Sequence, residues 1–219
     1  MNCKIGFRQL ANLLTIIILF LLPSLPAMAQ KEDEAKSILD RTSQSFKQSG
    51  GIEADFAFTP YMQEEVKGRI QLMEECFCIK MDEMVTWFNG KTQWTYLPTN
   101  EEVNVSTPSR EEIESINPMT FLSLYKDGYA CKLGEKKSFN GKAVYEVNLK
   151  TENVEKQWQN ITLYIDRTAL LPLYFKLQGE GRDYHIITIS NYKQGMNWKK
   201  EHFTFNPKEY PNAEVIDLR

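Results

Sequence analysis

Three hydrophobic periods follow one another along the chain. Between Glu32 and Gln48, the residues Ala35, Ile38, Leu39, Thr42 and Phe46 recur at i, i+3, i+4, i+7 and i+11. That is the stripe of an amphipathic helix packed by one side only, and Gly50-Gly51 ends it. From Ile52 the period becomes two. Ile52, Ala54, Phe56 and Phe58 alternate with polar neighbours, Val66, Gly68, Ile70 and Leu72 follow less strictly, and Phe77, Ile79 and Met81 share one side of a third strand. The sharpest local signal is Met84 to Tyr96, where Asn89-Gly90 stands between two runs rich in β-branched and aromatic residues. It predicts a hairpin with a two-residue type I′ turn, setting Phe88 opposite Lys91, Trp87 opposite Thr92, Thr86 opposite Gln93 and Val85 opposite Trp94. One face then carries Val85, Trp87, Trp94 and Tyr96, and the other Thr86, Lys91, Gln93 and Thr95. Three large aromatics on one face need a cover. A further strand is expected at Glu101 to Val105.

The period then turns helical again. Ser106-Thr107-Pro108-Ser109-Arg110-Glu111-Glu112 supplies hydroxyl caps, a proline and acidic residues at a helix start, with Ser109 and Glu112 spaced for a capping box. Ile113 and Ile116 form its apolar side. Asn117-Pro118 starts a second helix with Met119, Phe121, Leu122, Leu124 and Tyr125, stopped by Lys126-Asp127-Gly128. That is too much apolar surface for one stripe, so this helix is either buried or laid against an apolar surface. Strands resume at Tyr129. Phe139-Asn140-Gly141-Lys142 repeats the tetrapeptide of residues 88–91 and predicts a second hairpin leading into Ala143 to Leu149. Alternation continues through Trp158 to Asp166, Leu173 to Leu177 and Tyr184 to Tyr192, and Phe203-Thr204-Phe205 and Val215 to Leu218 close the chain. The sum is about ten to eleven strands and three helices, an α+β protein whose large antiparallel sheet must curl or close. No linker divides it, so residues 30–219 are expected to form one domain.

Composition adds a compartment. Lys4 and Arg8 precede an apolar stretch from Leu10 to Leu25, and Ala27-Met28-Ala29 offers a small-residue cleavage pattern. Residues 1–29 are therefore expected to be a cleaved signal peptide rather than a membrane anchor. Losing those two cations moves the formal charge from −3 to −5. An acidic chain without a basic patch argues against nucleic acid as a partner. With Gln30 at the expected mature terminus, no cysteine is available there for lipid attachment. Cys76, Cys78 and Cys131 remain: a Cys76–Cys78 bridge would be strained, a bridge to Cys131 is open, and buried free thiols are the plainer reading.

Chemistry is thin. The chain has no nucleophile elbow, phosphate loop or dinucleotide fingerprint. His185 and His202 stand apart, and the paired carboxylates, such as Glu64-Glu65 and Glu101-Glu102, read as solvated faces. Neither an enzyme nor a bound cofactor or metal is expected. A curled sheet with one apolar face and a helix pair with spare apolar surface either encloses a hydrophobic ligand or packs shut as a dry core.

The order of these features resembles the outer-membrane lipoprotein carrier family, the periplasmic LolA-like chaperones, and its Bacteroidetes members in particular. The resemblance rests on Gly90-Lys91-Thr92 with Trp94 in the hairpin, the Thr107-Pro108 helix insertion and Phe203-Thr204-Phe205-Asn206-Pro207 near the end. It implies an unclosed β-barrel, with helices over 107–127 as a lid on an apolar cavity. It also implies a monomeric periplasmic carrier that takes acylated lipoproteins from an inner-membrane ABC-type release complex to an outer-membrane acceptor. The cavity wall is expected to draw on Phe56, Phe58, Ile70, Leu72, Val85, Trp87, Trp94, Tyr96, Tyr145, Leu163 and Phe175. The lid residues are Ile113, Ile116, Phe121, Leu122, Leu124 and Tyr125, of which the last four would refill the empty cavity. One departure stands out: the Arg-Pro pair that precedes the third strand in well-known members, its arginine bonding lid carbonyls, is replaced by Met73-Glu74-Glu75-Cys76. Arg69 is no obvious substitute. An envelope-stress regulator of the same fold, binding a membrane anti-sigma factor, is the alternative reading.

Overall fold

The computed structural model describes residues 26–110, 112–113 and 117–219. The expected signal peptide lies outside the described residues as far as Leu25, as does Ile116. The amphipathic stripe forms as expected within α1 (Pro26–Gln48): Ala35, Ile38, Leu39, Thr42 and Phe46 are all buried. Gly50 and Gly51 end the helix at φ 67° and 101°. At Gly51 the conformation and the space agree, because a Cβ there would meet the Trp198 ring at 3.1 Å.

The strands are β1 (Ile52–Thr59), β2 (Val66–Met73), β3 (Cys76–Met81), β4 (Met84–Phe88), β5 (Gln93–Leu97) and β6 (Glu102–Ser106). A 3₁₀ helix over Pro118–Asp127 separates them from β7 (Ala130–Leu133), β8 (Ser138–Phe139), β9 (Lys142–Lys150), β10 (Asn160–Asp166), β11 (Pro172–Gln178) and β12 (Tyr184–Gln194). A short 3₁₀ turn at Lys200–Phe203 precedes β13 (Glu214–Asp217). All belong to one curled sheet in the order β13-β6-β5-β4-β3-β2-β1-β12-β11-β10-β9-β7, with β8 a side branch on β9. Its two ends, β13 and β7, do not pair, so the barrel is unclosed. Bulges in the β1–β12 ladder at Glu53/Asp55 and in the β10–β11 ladder at Tyr164/Ile165 add local twist.

Several expectations shift in detail. Among the described residues the strand count is 13, the surplus coming from short strands such as the two-residue β8. β13 runs parallel to β6, and Phe203-Thr204-Phe205 is not a strand. The two Asn-Gly hairpins also differ. Phe139 pairs with Lys142 across Asn140 (φ 47°) and Gly141 (φ 77°), the tight turn that was expected. In the first hairpin Phe88 pairs with Gln93 and Trp87 with Trp94, so the loop has four residues. The Asn89 side chain accepts from Lys91 N at 3.1 Å and Thr92 N at 2.9 Å, and only Gly90 takes a positive φ. A local side-chain bond has outcompeted the type I′ turn. The slip is an even number of positions, so Val85, Trp87, Trp94 and Tyr96 still share a face.

The capping box over Ser109–Glu112 forms: Ser109 N donates to Glu112 Oε2 at 2.7 Å and Glu112 N to Ser109 Oγ at 3.2 Å. Asn117 caps the 3₁₀ helix through Met119 N, and Gly128 ends it at φ 85°.

Candidate functional site: an apolar concavity closed by a helical lid

Each face of the curled sheet has its own core. On the inner face, register places Ile52, Ala54 and Phe56 of β1 beside Ile70 and Leu72 of β2 and Phe77 and Ile79 of β3. Across the bend, Leu149, Val147 and Tyr145 of β9 face Ile161, Leu163 and Ile165 of β10, which lead to Phe175 and Leu177 of β11. All of these belong to one apolar cluster with the α1 stripe. Phe56 lies over Gly68, where a Cβ would stand 2.6 Å from its ring and 2.5 Å from Lys80 O. Only glycine leaves room for that ring.

The 3₁₀ helix fills the mouth of this concavity. Phe121, Leu122 and Leu124 are buried in the inner cluster, with the Phe121 ring 5.5 Å from that of Phe175, while Ile113 and Tyr125 are partly buried against it. Two polar ties hold the helix down. Asp40 of α1 accepts from Tyr125 Oη at 2.6 Å and Lys126 Nζ at 3.0 Å, and Asp127 pairs with Lys156 of the β9–β10 loop at 2.7 Å. The Tyr125 hydroxyl, then Lys126, hold the Asp40 carboxyl below the usual carboxylate range, and Lys156 does the same for Asp127. These ties are side-chain pairs, and neither reproduces the arginine-to-carbonyl role that the resemblance implies. Arg69 cannot take it, because it pairs with Asp55 at 3.0 Å on the outer face.

Of the expected wall residues, the fold brings Phe56, Ile70, Leu72, Tyr145, Leu163 and Phe175 together around the lid, and Phe58 joins the same face at its rim. It separates Val85, Trp87, Trp94 and Tyr96 from them. Those four lie on the outer face with Cys76, Cys78, Val103 and Val105, under a segment that contributes Phe203, Phe205 and Tyr210. The Trp87 ring meets Phe205 at 5.8 Å and Tyr210 at 5.5 Å. Their cover is the end of the chain, not the lid. The inner positions of this hairpin are Thr86, Gln93 and Thr95, bonded to one another, and Phe88, buried with its ring 5.1 Å from that of Phe77.

Between that segment and the outer face lies a cleft of about 390 Å³ lined by Gln71, Cys78, Lys80, Trp87, His202 and Tyr210 among others. Burial pushes the Cys78 thiol up to about 11, which leaves it protonated and unreactive at neutral pH. His202 reaches Gln71 Oε1 at 2.8 Å and is held low, first by burial and then by Lys80. Cys76 and Cys78 face outward and Cys131 inward, so the bridge left open cannot form and all three are free. Among the described residues no group of three or more His, Cys, Asp or Glu is placed to hold a metal ion.

A sequence profile described as "Outer membrane lipoprotein carrier protein LolA" matches residues 25–182, from α1 to the β11–β12 turn. The chain belongs to this carrier family. No curated protein matches it in sequence. Among solved structures, an uncharacterized conserved protein from Thermus thermophilus shares the fold at a TM-score of 0.59 and 17% identity, over 84% of this chain and 99% of that one. A putative outer membrane lipoprotein-sorting protein domain from Vibrio parahaemolyticus is similar at 0.49 and 12%, over 82% and 99%. Family membership fits the unclosed barrel and the lidded concavity.

Sequence reasoning missed most of the concavity. Phe77, Leu149 and Ile161 carry the same period-two signal as the residues that were singled out. Asp40 carries none, because an acidic residue on the polar side of an amphipathic helix is where one is expected anyway.

Proposed function

We propose that this protein is a periplasmic carrier that binds the acyl chains of lipoproteins in the inner concavity and conveys them between membranes. The observation that carries the reading is the lid: Phe121, Leu122 and Leu124 sit inside a concave apolar sheet on a 3₁₀ helix whose ion pairs to the rest of the fold are partly exposed. A permanent core needs no such arrangement. A surrogate for a ligand does, since it must leave when the ligand arrives.

The magnitudes are compatible with exchange. Burying three such side chains is worth roughly 6 kcal/mol at about 2 each, which about eight buried methylenes match at 0.8 kcal/mol per CH₂. Long acyl chains would displace the lid and octanoyl-length chains would not. The release complex and the acceptor of the proposed route would set which side gives and which takes.

Native mass spectrometry of the protein purified from its own periplasm, followed by lipid extraction, tests the reading. Co-purifying acylated protein or lipid is the expected result. Its consistent absence, with no binding of apolar fluorescent probes, would sink the proposal.

A further inference from the structure

One corner of the inner face holds polar atoms left without partners. The indole Nε1 of Trp158 and Nδ1 of His185 are buried and make no hydrogen bond, and the same is true of Oε1 of the adjacent Gln159. Among the described residues only two other buried side-chain polar atoms share that condition, Thr42 Oγ1 and Gln93 Oε1. The His185 ring stacks on Phe58 at 5.7 Å and 17°, and Trp158 meets it edge-on at 5.2 Å and 71°. Register puts His185 opposite Leu177, and Phe58 opposite Ile187, which in turn faces Phe175. The corner is therefore continuous with the apolar wall that receives Phe121. It is also where the lid ends. Tyr129 donates its hydroxyl to Trp158 O at 2.6 Å, and Lys156, two residues before Trp158, holds Asp127.

Buried polar groups are almost always paired, and an indole N–H can only donate. Its missing partner is an acceptor, and it stands at the lid-hinge end of an otherwise apolar wall. We infer that Trp158 and His185 are the carbonyl-binding end of the acyl cavity. Trp158 Nε1–H donates to the ester or amide carbonyl oxygen at the head of an acyl chain, His185 adds a second polar atom beside it, and Phe58 covers the first methylenes. The rest of the chain then runs along Leu177, Ile187 and Phe175 into the space Phe121 fills. This rests on the carrier reading and adds to it a polar end that fixes the ligand's orientation. The shared chemistry is an acyl carbonyl, which a lipoprotein and a membrane phospholipid both carry.

The test uses two lysophospholipids below their micelle concentrations, identical except that one joins its long chain by an ester and the other by an ether. Each displaces an apolar fluorescent probe from the mature protein and from Trp158→Phe, which keeps a ring but loses the donor. The wild type is expected to prefer the ester about fivefold to tenfold, the ratio of one neutral hydrogen bond. Trp158→Phe should lose that preference, whatever its affinity for the ether. In wild-type protein the Trp158 indole N–H resonance should move on adding the ester and much less with the ether. That readout does not depend on how well the variant folds. Repeating it with a diacylated lipopeptide ranks the two sources by the concentration at which each moves the resonance. Equal wild-type affinity for ester and ether, an unmoved indole resonance, or a preference that survives Trp158→Phe overturns the inference while leaving the carrier reading intact. Failure of the wild type to bind either lipid or the probe overturns both.

Discussion

Asp40 shows how little a polar tie adds to the lid's closed state. Its carboxylate takes two donors, yet the ion pair with Lys126 is roughly half exposed at both partners. Solvent screening limits such a pair to no more than about 1 kcal/mol. Asp40→Asn should therefore leave the fold's unfolding temperature almost unchanged while speeding amide exchange over residues 118–127 several-fold. Equal exchange in both proteins would show that the tie does not hold the lid. The sign of the pH effect follows from the depressed carboxyl. Its stabilisation is fully present above the ordinary aspartate value of about 3.9 and is lost as pH falls through the lower folded value. Lid exchange, corrected for its intrinsic rate, should be flat from about pH 5 to 8 and rise below about 4, with a smaller rise in Asp40→Asn, where only Asp127 of the two lid ties still titrates. None of this was visible in the sequence. Tyr125 and Lys126 are 85 and 86 positions away from Asp40, and only the docking of lid on α1 brings them together.

The apolar insertion itself was legible. Five large apolar residues between Met119 and Tyr125 could not be satisfied by one stripe, and the structure buries Phe121, Leu122 and Leu124 in the concavity. What the pattern could not supply was the helix type, since Asn117-Pro118 starts a 3₁₀ helix as readily as an α-helix. Phe121→Glu is expected to abolish the refilling contact, because a carboxylate cannot stay against Phe175 without a large desolvation cost. Capture of an acylated lipopeptide should strengthen, because the ligand no longer competes with Phe121, while far-ultraviolet circular dichroism keeps the sheet signal; unchanged capture would remove Phe121 from the mechanism. Chain length gives an independent check. Among single-chain lipids, the affinity of wild-type protein should climb steeply beyond about eight methylenes, the length at which ligand and lid balance. A smooth rise from the shortest chains would mean that the lid is not displaced.

At the scale of the whole molecule the sheet has two cores, and they should respond separately. Phe203 is fully buried on the outer face, so Phe203→Ala is expected to cost about 3–5 kcal/mol in denaturant unfolding. Acyl affinity of the molecules that remain folded should be unchanged, because that core lies across the sheet from the concavity. A parallel loss of affinity would show that the faces are coupled. The sequence by itself determined that α1 is amphipathic, which side chains of each strand share a face, that a long antiparallel sheet must curl, and that an apolar insertion interrupts it. Those properties depend on neighbours a few positions apart. Which face of the Met84–Leu97 hairpin turns inward was decided only by the tertiary structure. The aromatic side, Val85, Trp87, Trp94 and Tyr96, looked like the wall of a cavity, and it is covered instead by Phe203, Phe205 and Tyr210 from more than a hundred positions on. Alternation divides a strand into two sides with equal clarity whichever way the sheet bends. The choice between them belongs to the segments that arrive to cover each one.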